Sequence, residues 1–144
     1  MKGKILVAVD GSETGKRAID FAARAARETG DSVVLAYVID WSPYSFHTPE
    51  ELAERKQRRE SEISRAEDSV LTPEATTLKA NNIKVETIVR HGNIGETLSD
   101  IAQEYDVTQV YIGRRGESKM RTMLFGSVTA ALIQTSSVPI TVVP

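Results

Sequence analysis

Cysteine is absent from the chain, which excludes disulfides, thiol chemistry and cysteine-ligated metal sites. Histidine is nearly absent. His47 and His91 have no cysteine or paired histidine to complete a ligand set, and both are expected as surface or loop residues. An excess of positive charge is lacking too: 18 lysines and arginines face 20 acids, for a formal net charge of -2 and a pI near 5.7. Nucleic-acid binding leans on a basic surface, so DNA and RNA are not expected as partners. The first apolar run, residues 5–9, stops at Asp10. It is too short for a signal-peptide core or a membrane span, so a cytoplasmic protein with no membrane partner is expected. Internal repeats, low-complexity tracts and linkers do not occur.

What is present is a chain of 144 residues, 40% hydrophobic and 26% charged, the size and balance of one compact domain over 1–144. Strands alternate with helices throughout. Residues 5–9 (Ile-Leu-Val-Ala-Val) form a continuous apolar run that fits a parallel strand buried on both faces. Ser12 is placed to cap a helix to about Thr29, and Gly30 suits its C′ position. Residues 32–39 read as the second strand. The irregular residues 40–48 hold Trp41, Tyr44 and Phe46, which serve either as a lid or as packing at the domain edge.

Thr48-Pro49-Glu50-Glu51 supplies a capping box with proline at the first helical position. The long charged helix that follows reads as a solvated face and is expected to kink or restart at Thr72-Pro73. Asn81-Asn82 suits its end. Residues 83–89 are the expected third strand, and Asn93-Ile94-Gly95-Glu96 opens a helix through Tyr105. Residues 107–112 are the fourth strand, Gly126-Ser127 opens a last helix to about Thr135, and residues 138–143 are the fifth strand. This order predicts an α/β fold, a single open five-stranded parallel sheet with helices on both faces, Rossmann-like. Ligands of such sheets bind outside the carboxyl ends of the strands, near the reversal of strand order. That directs attention to Asp10, residues 38–40, residues 90–93 and everything after Ile112.

The most informative segment follows the fourth strand. Gly113 ends the strand, and Gly116 permits a tight, closely approaching backbone. Gly126-Ser127 begins a helix whose unpaired amides and positive dipole end favour an anion. Arg114, Arg115, Lys119 and Arg121 face one acid, Glu117, in a chain that is acidic overall. Two readings stand at this point. One is a phosphate cradle; the other is a solvated basic loop with two turn glycines.

Gly113-x2-Gly116-x9-Gly126-Ser127 after a fourth strand resembles the nucleotide-binding signature of the universal stress protein family, ATP-binding branch. The likeness spans nearly the whole chain. Ile5-Leu6-Val7-Ala8-Val9-Asp10-Gly11-Ser12 is similar to the family's opening strand and turn, and Tyr37-Val38-Ile39-Asp40 to the end of its second strand. Ser136-Ser137-Val138-Pro139-Ile140-Thr141-Val142-Val143 is similar to its closing strand. The resemblance implies the adenine-nucleotide alpha-hydrolase-like version of the Rossmann-like fold. It implies ATP as ligand, with magnesium carried in by the nucleotide. Asp10, in the same turn as Ser12, would lie under the ribose or adenine side, and the Val38 backbone would pair with the adenine edge. Ile112, Gly113 and Gly116 would line the ribose and phosphates. Gly126, Ser127, Val128 and Thr129 would hold the phosphates through amides and hydroxyls. Arg114 and Arg115 lie within this stretch. Position 114 usually carries a small hydroxyl residue in the family, so Arg114 either adds a phosphate contact or crowds the pocket.

The apolar last strand, Val138 to Val143, is expected at a sheet edge, where unpaired backbone groups invite a second copy, and the resemblance implies that homodimer too. The expected function is an ATP-binding regulatory module of stress response, reporting to an unidentified protein partner. No catalytic constellation is present, and any ATP hydrolysis is expected to be a slow timer. One alternative is a family member without nucleotide binding, acting as a protein-interaction or chaperone-like dimer. Another is an FMN-binding flavodoxin-like protein, suggested by Gly11-Ser12-Glu13-Thr14-Gly15-Lys16-Arg17. That segment is one residue short of a P-loop and has arginine where Ser/Thr should be. Its plain reading is a helix start capped by Ser12, with Lys16 and Arg17 solvated. A phosphoacceptor receiver domain fails, because the third strand ends in Arg90-His91.

Overall fold

The computed structural model describes residues 3–40, 48–114 and 128–144. Strands β1 (Lys4–Ala8), β2 (Ser32–Asp40), β3 (Val85–Gly92), β4 (Gln109–Gly113) and β5 (Ile140–Val143) form one parallel sheet in the order β3-β2-β1-β4-β5. Helices α1 (Glu13–Thr29), α2 (Pro49–Arg65), α3 (Thr72–Ala80), α4 (Ile94–Glu104) and α5 (Ala130–Thr135) connect them, with a π turn at Ala66–Leu71 between α2 and α3. The chain winds outward from β1 to β3, then crosses back to place β4 on the other side of β1. The order therefore reverses between β1 and β4.

Strand alternation divides the core in two. Ile5, Val7, Val33 and Leu35 pack with Ile19, Ala22, Leu71 and Leu78 on the α1 and α3 face. Leu6, Val34 and Val110 pack with Leu98, Ile101 and Leu132 on the α4 and α5 face. Because both faces of β1 are covered, its sequence is apolar without a break from Ile5 onward. Each of these buried Val, Leu and Ile side chains contributes roughly 1.5–3 kcal/mol.

The helix boundaries follow from local chemistry. Ser12 caps α1 by accepting the Gly15 amide, and Gly30 closes it at φ 79°, a left-handed conformation that glycine adopts without steric cost. Thr48 and Glu51 form the full reciprocal capping box at the start of α2. Pro73 has no amide to give and excludes a carbonyl one turn back. The chain accommodates it with the π turn, in which the Thr72 amide reaches the Glu67 carbonyl five residues earlier. None of the residues of α2 is buried.

β1 and β2 differ from the sequence-based expectation by no more than one residue at either end, and the other three strands by more. β3 begins at Val85, because Ile83 belongs to the turn that closes α3, where its amide bonds the Leu78 carbonyl. It continues to Gly92 because Arg90, His91 and Gly92 pair with Val38, Ile39 and Asp40. β4 begins at Gln109, since the Val107 amide is used to close α4 on the Ala102 carbonyl. β5 begins at Ile140, since the Ser136 hydroxyl bonds both the amide and the carbonyl of Val138 in a side-chain turn. Of the final helix, Ala130–Thr135 is α-helical, and Gly126-Ser127 lies outside the described residues. Among the described residues no helix is long and apolar enough to cross a membrane.

Candidate functional site

The strand order reverses between β1 and β4, and open α/β sheets receive ligands in the crevice outside the carboxyl ends of such a pair. One wall is the first turn of α1. Asp10, just past β1, accepts two bonds on Oδ1, from the Ser12 amide at 2.9 Å and from the Ser12 hydroxyl. The Ser12 oxygen in turn accepts the Gly15 amide at 3.1 Å and lies 3.3 Å from Thr14 Oγ1. Asp10 and Ser12 thus fix where the amino end of α1 stands. Lys16 and Arg17 are exposed, as a plain capped helix start requires.

Gly113 completes that wall. A Cβ on Gly113 would lie 2.8 Å from the Thr14 carbonyl oxygen and 3.2 Å from the Gly15 nitrogen. The close approach that requires glycine here is α1 backbone against β4 backbone. Thr14 and Gly15, weighed in the sequence only as parts of a flavin-type phosphate loop, are therefore part of the same construction. A glycine in the first turn of a helix is unfavourable on propensity, and that was the signal available. At Gly15 a Cβ would stand 3.0 Å from Asp10 Oδ1.

The opposite wall carries Val38, Ile112 and Val128, which all pack on the α4 and α5 core. The structure brings these three candidates to one face, and Asp10, Ser12 and Gly113 to the α1 side. Thr129 stands at the start of α5 with 5% exposure, and its Oγ1 has no hydrogen-bond partner among the described residues. It makes no side-chain cap. A buried hydroxyl left unpaired costs about 1–3 kcal/mol, so such a group invites a ligand. Arg114 is exposed, and its amide donates to the Val143 carbonyl at 2.6 Å, extending the β4–β5 ladder by one bond. Arg115, Gly116, Gly126 and Ser127 lie outside the described residues.

His91 differs from its expected surface placement. Its side chain is 3% exposed, and Nε2 lies 3.1 Å from Glu62 Oε2 of α2. Thr87, four residues earlier on the same face of β3, donates to Glu67 of the π turn. The charged helix is thus largely solvated, as expected, but selected carboxylates turn inward to hold β3. On the other face of β3, Arg90 pairs with Glu104 of α4. Among the described residues no cluster of three or more His, Cys, Asp or Glu side chains is arranged to hold a metal ion.

Comparison with known proteins adds to this geometry. The model of the Universal stress protein family matches residues 1–144. The universal stress protein YxiE of Bacillus subtilis is 25% identical over 150 residues, covering 99% of each chain. The structure of universal stress protein UspA from Lactobacillus plantarum superposes with a TM-score of 0.84 at 21% identity, over 99% of this chain and 97% of that one. A universal stress protein from Archaeoglobus fulgidus in complex with dAMP has a TM-score of 0.66 at 20% identity, over 100% and 98% of the two chains. A universal stress protein in complex with cAMP has a TM-score of 0.63 at 21% identity, over 99% and 96%.

Proposed function

The chain belongs to the universal stress protein family, and from that premise we propose that it binds an adenine nucleotide in the crevice above β1 and β4 and works as a homodimeric regulatory module. The observation that carries this reading is the Thr129 hydroxyl, buried at the start of α5 and without a hydrogen-bond partner among the described residues. Structural relatives in complex with dAMP and cAMP support the ligand class. ATP is the specific nucleotide proposed. Asp10 and Ser12 set the ribose side, Val38 the adenine edge, and Ile112 and Gly113 the floor. Arg114, Arg115, Gly116, Gly126, Ser127, Val128 and Thr129 hold the phosphates, and magnesium enters with the nucleotide. Nucleotide charge would be balanced by Arg114, Arg115, Lys119 and Arg121.

A second reading, a partner-binding dimer without nucleotide, draws on Arg114 standing where the family usually has a small hydroxyl residue. Acid extraction of the purified protein followed by nucleotide chromatography separates the two. ATP recovered in near-stoichiometric amount, and lost in Gly126→Val with the fold retained, supports the first. A protein free of nucleotide, with no calorimetric response to ATP or AMP, overturns it.

A further inference from the structure

β2 pairs with β1 only as far as Ala36, opposite Ala8, while its pairing with β3 continues through Asp40, opposite Gly92. The last four rungs, Tyr37 with Val89 to Asp40 with Gly92, therefore project past β1 as a two-stranded ribbon. β3 is the edge of the sheet, so nothing in the sheet braces it from outside. A two-stranded ribbon is marginal in water on its own. This ribbon carries Val38, the proposed adenine contact.

Two successive residues of β3 fasten it, and their side chains point to opposite faces. Arg90 reaches Glu104 of α4 on one face. His91 reaches Glu62 of α2 on the other, with its ring almost wholly buried. Their strand partners are Val38 and Ile39. We propose that Arg90, His91, Glu62 and Glu104 are positioning residues for the adenine side of the crevice, holding the β2–β3 ribbon in place from both faces. The role rests on the nucleotide reading above. The carboxylates are 40% and 52% exposed, and such pairs add little to global stability. Their effect is local to the rungs they flank.

The test uses the full chain with Glu62→Ala, Glu62→Gln and Arg90→Ala, read by amide hydrogen exchange and by calorimetry with ATP and with inorganic triphosphate. Glu62→Ala and Arg90→Ala are each expected to speed exchange at residues 38–40 and weaken ATP about tenfold, with triphosphate unaffected. Glu62→Gln, which keeps an acceptor for the imidazole, is expected to restore both. Unchanged exchange at residues 38–40 in both alanine variants overturns the proposal, as does an equal loss of ATP and triphosphate. A wild-type protein that binds neither ligand overturns the nucleotide reading and the role in affinity. The exchange comparison then still decides whether the pairs brace the ribbon.

Discussion

On the β4 side of the crevice, Gly113 lies against the Thr14 carbonyl with no side chain between them; on the β3 side, the corresponding height of the sheet is held by Arg90–Glu104 and His91–Glu62. The first wall is backbone packed on backbone, fixed by a glycine and by the Asp10–Ser12–Gly15 bonds. The second is fixed by side chains that bridge β3 to flanking helices, with partly exposed carboxylates meeting a half-buried Arg90 and a buried His91. Backbone packing leaves no room for even one carbon atom, whereas a side-chain pair accepts any partner that keeps its hydrogen bond. One wall is therefore expected to be rigid and intolerant, the other adjustable.

The largest expected effect breaks the rigid wall. Gly113→Val drives a branched side chain into the Thr14 carbonyl and should cost about 3 kcal/mol, measured by urea unfolding, whereas Glu62→Gln on the adjustable wall should change stability by less than about 0.5 kcal/mol. Equal costs would erase the distinction. Next comes the outer edge beyond β4. Val142→Lys puts a charge on the proposed dimer edge and should weaken self-association at least about a hundredfold in sedimentation equilibrium. Thr129→Val sharpens the comparison within the site. Removing this hydroxyl, which has no partner among the described residues, should raise the stability of the nucleotide-free protein by about 1 kcal/mol while lowering ATP affinity roughly tenfold. A purely structural hydroxyl would lower stability instead. The smallest global effect is expected at Thr48→Ala. Loss of the capping box destabilises α2 itself by about 1 kcal/mol, yet the unfolding midpoint should scarcely move, because that helix buries no residue. Faster amide exchange confined to α2 is the measurement that checks it.

Much of the backbone-built wall was visible in the sequence. The unbroken apolar run of β1, Ser12 at a helix start, Gly30 at its end and the Thr48-Pro49-Glu50-Glu51 box each have a local cause, so neighbouring residues suffice to infer them. Gly113 was recognised as special, but as a ligand-facing turn, because its contact with Thr14 comes from a segment about a hundred positions away. The adjustable wall was not visible. Glu62 and His91 are 29 residues apart, and no local pattern tells which carboxylate of a charged helix turns inward. The same holds for the extent of β3. Its alternation fades at Val89, and only the pairing with β2 carries it to Gly92. Gly116 and Gly126-Ser127 lie outside the described residues, and their role in the site is what the resemblance implies.

The π turn between Ala66 and Leu71 has a bearing on how this family member can diverge. A π turn holds one residue more than an α-helical turn, and α-helical geometry rotates successive residues by about 100°. Deleting Ser69 would remove the extra residue and set the Asp68 carbonyl against the Pro73 ring, so α2 and α3 would still meet at a kink. The whole of α2 would then swivel by that angle, taking Glu62 away from the imidazole it holds. A single lost codon would thus redirect a helix that itself buries no residue.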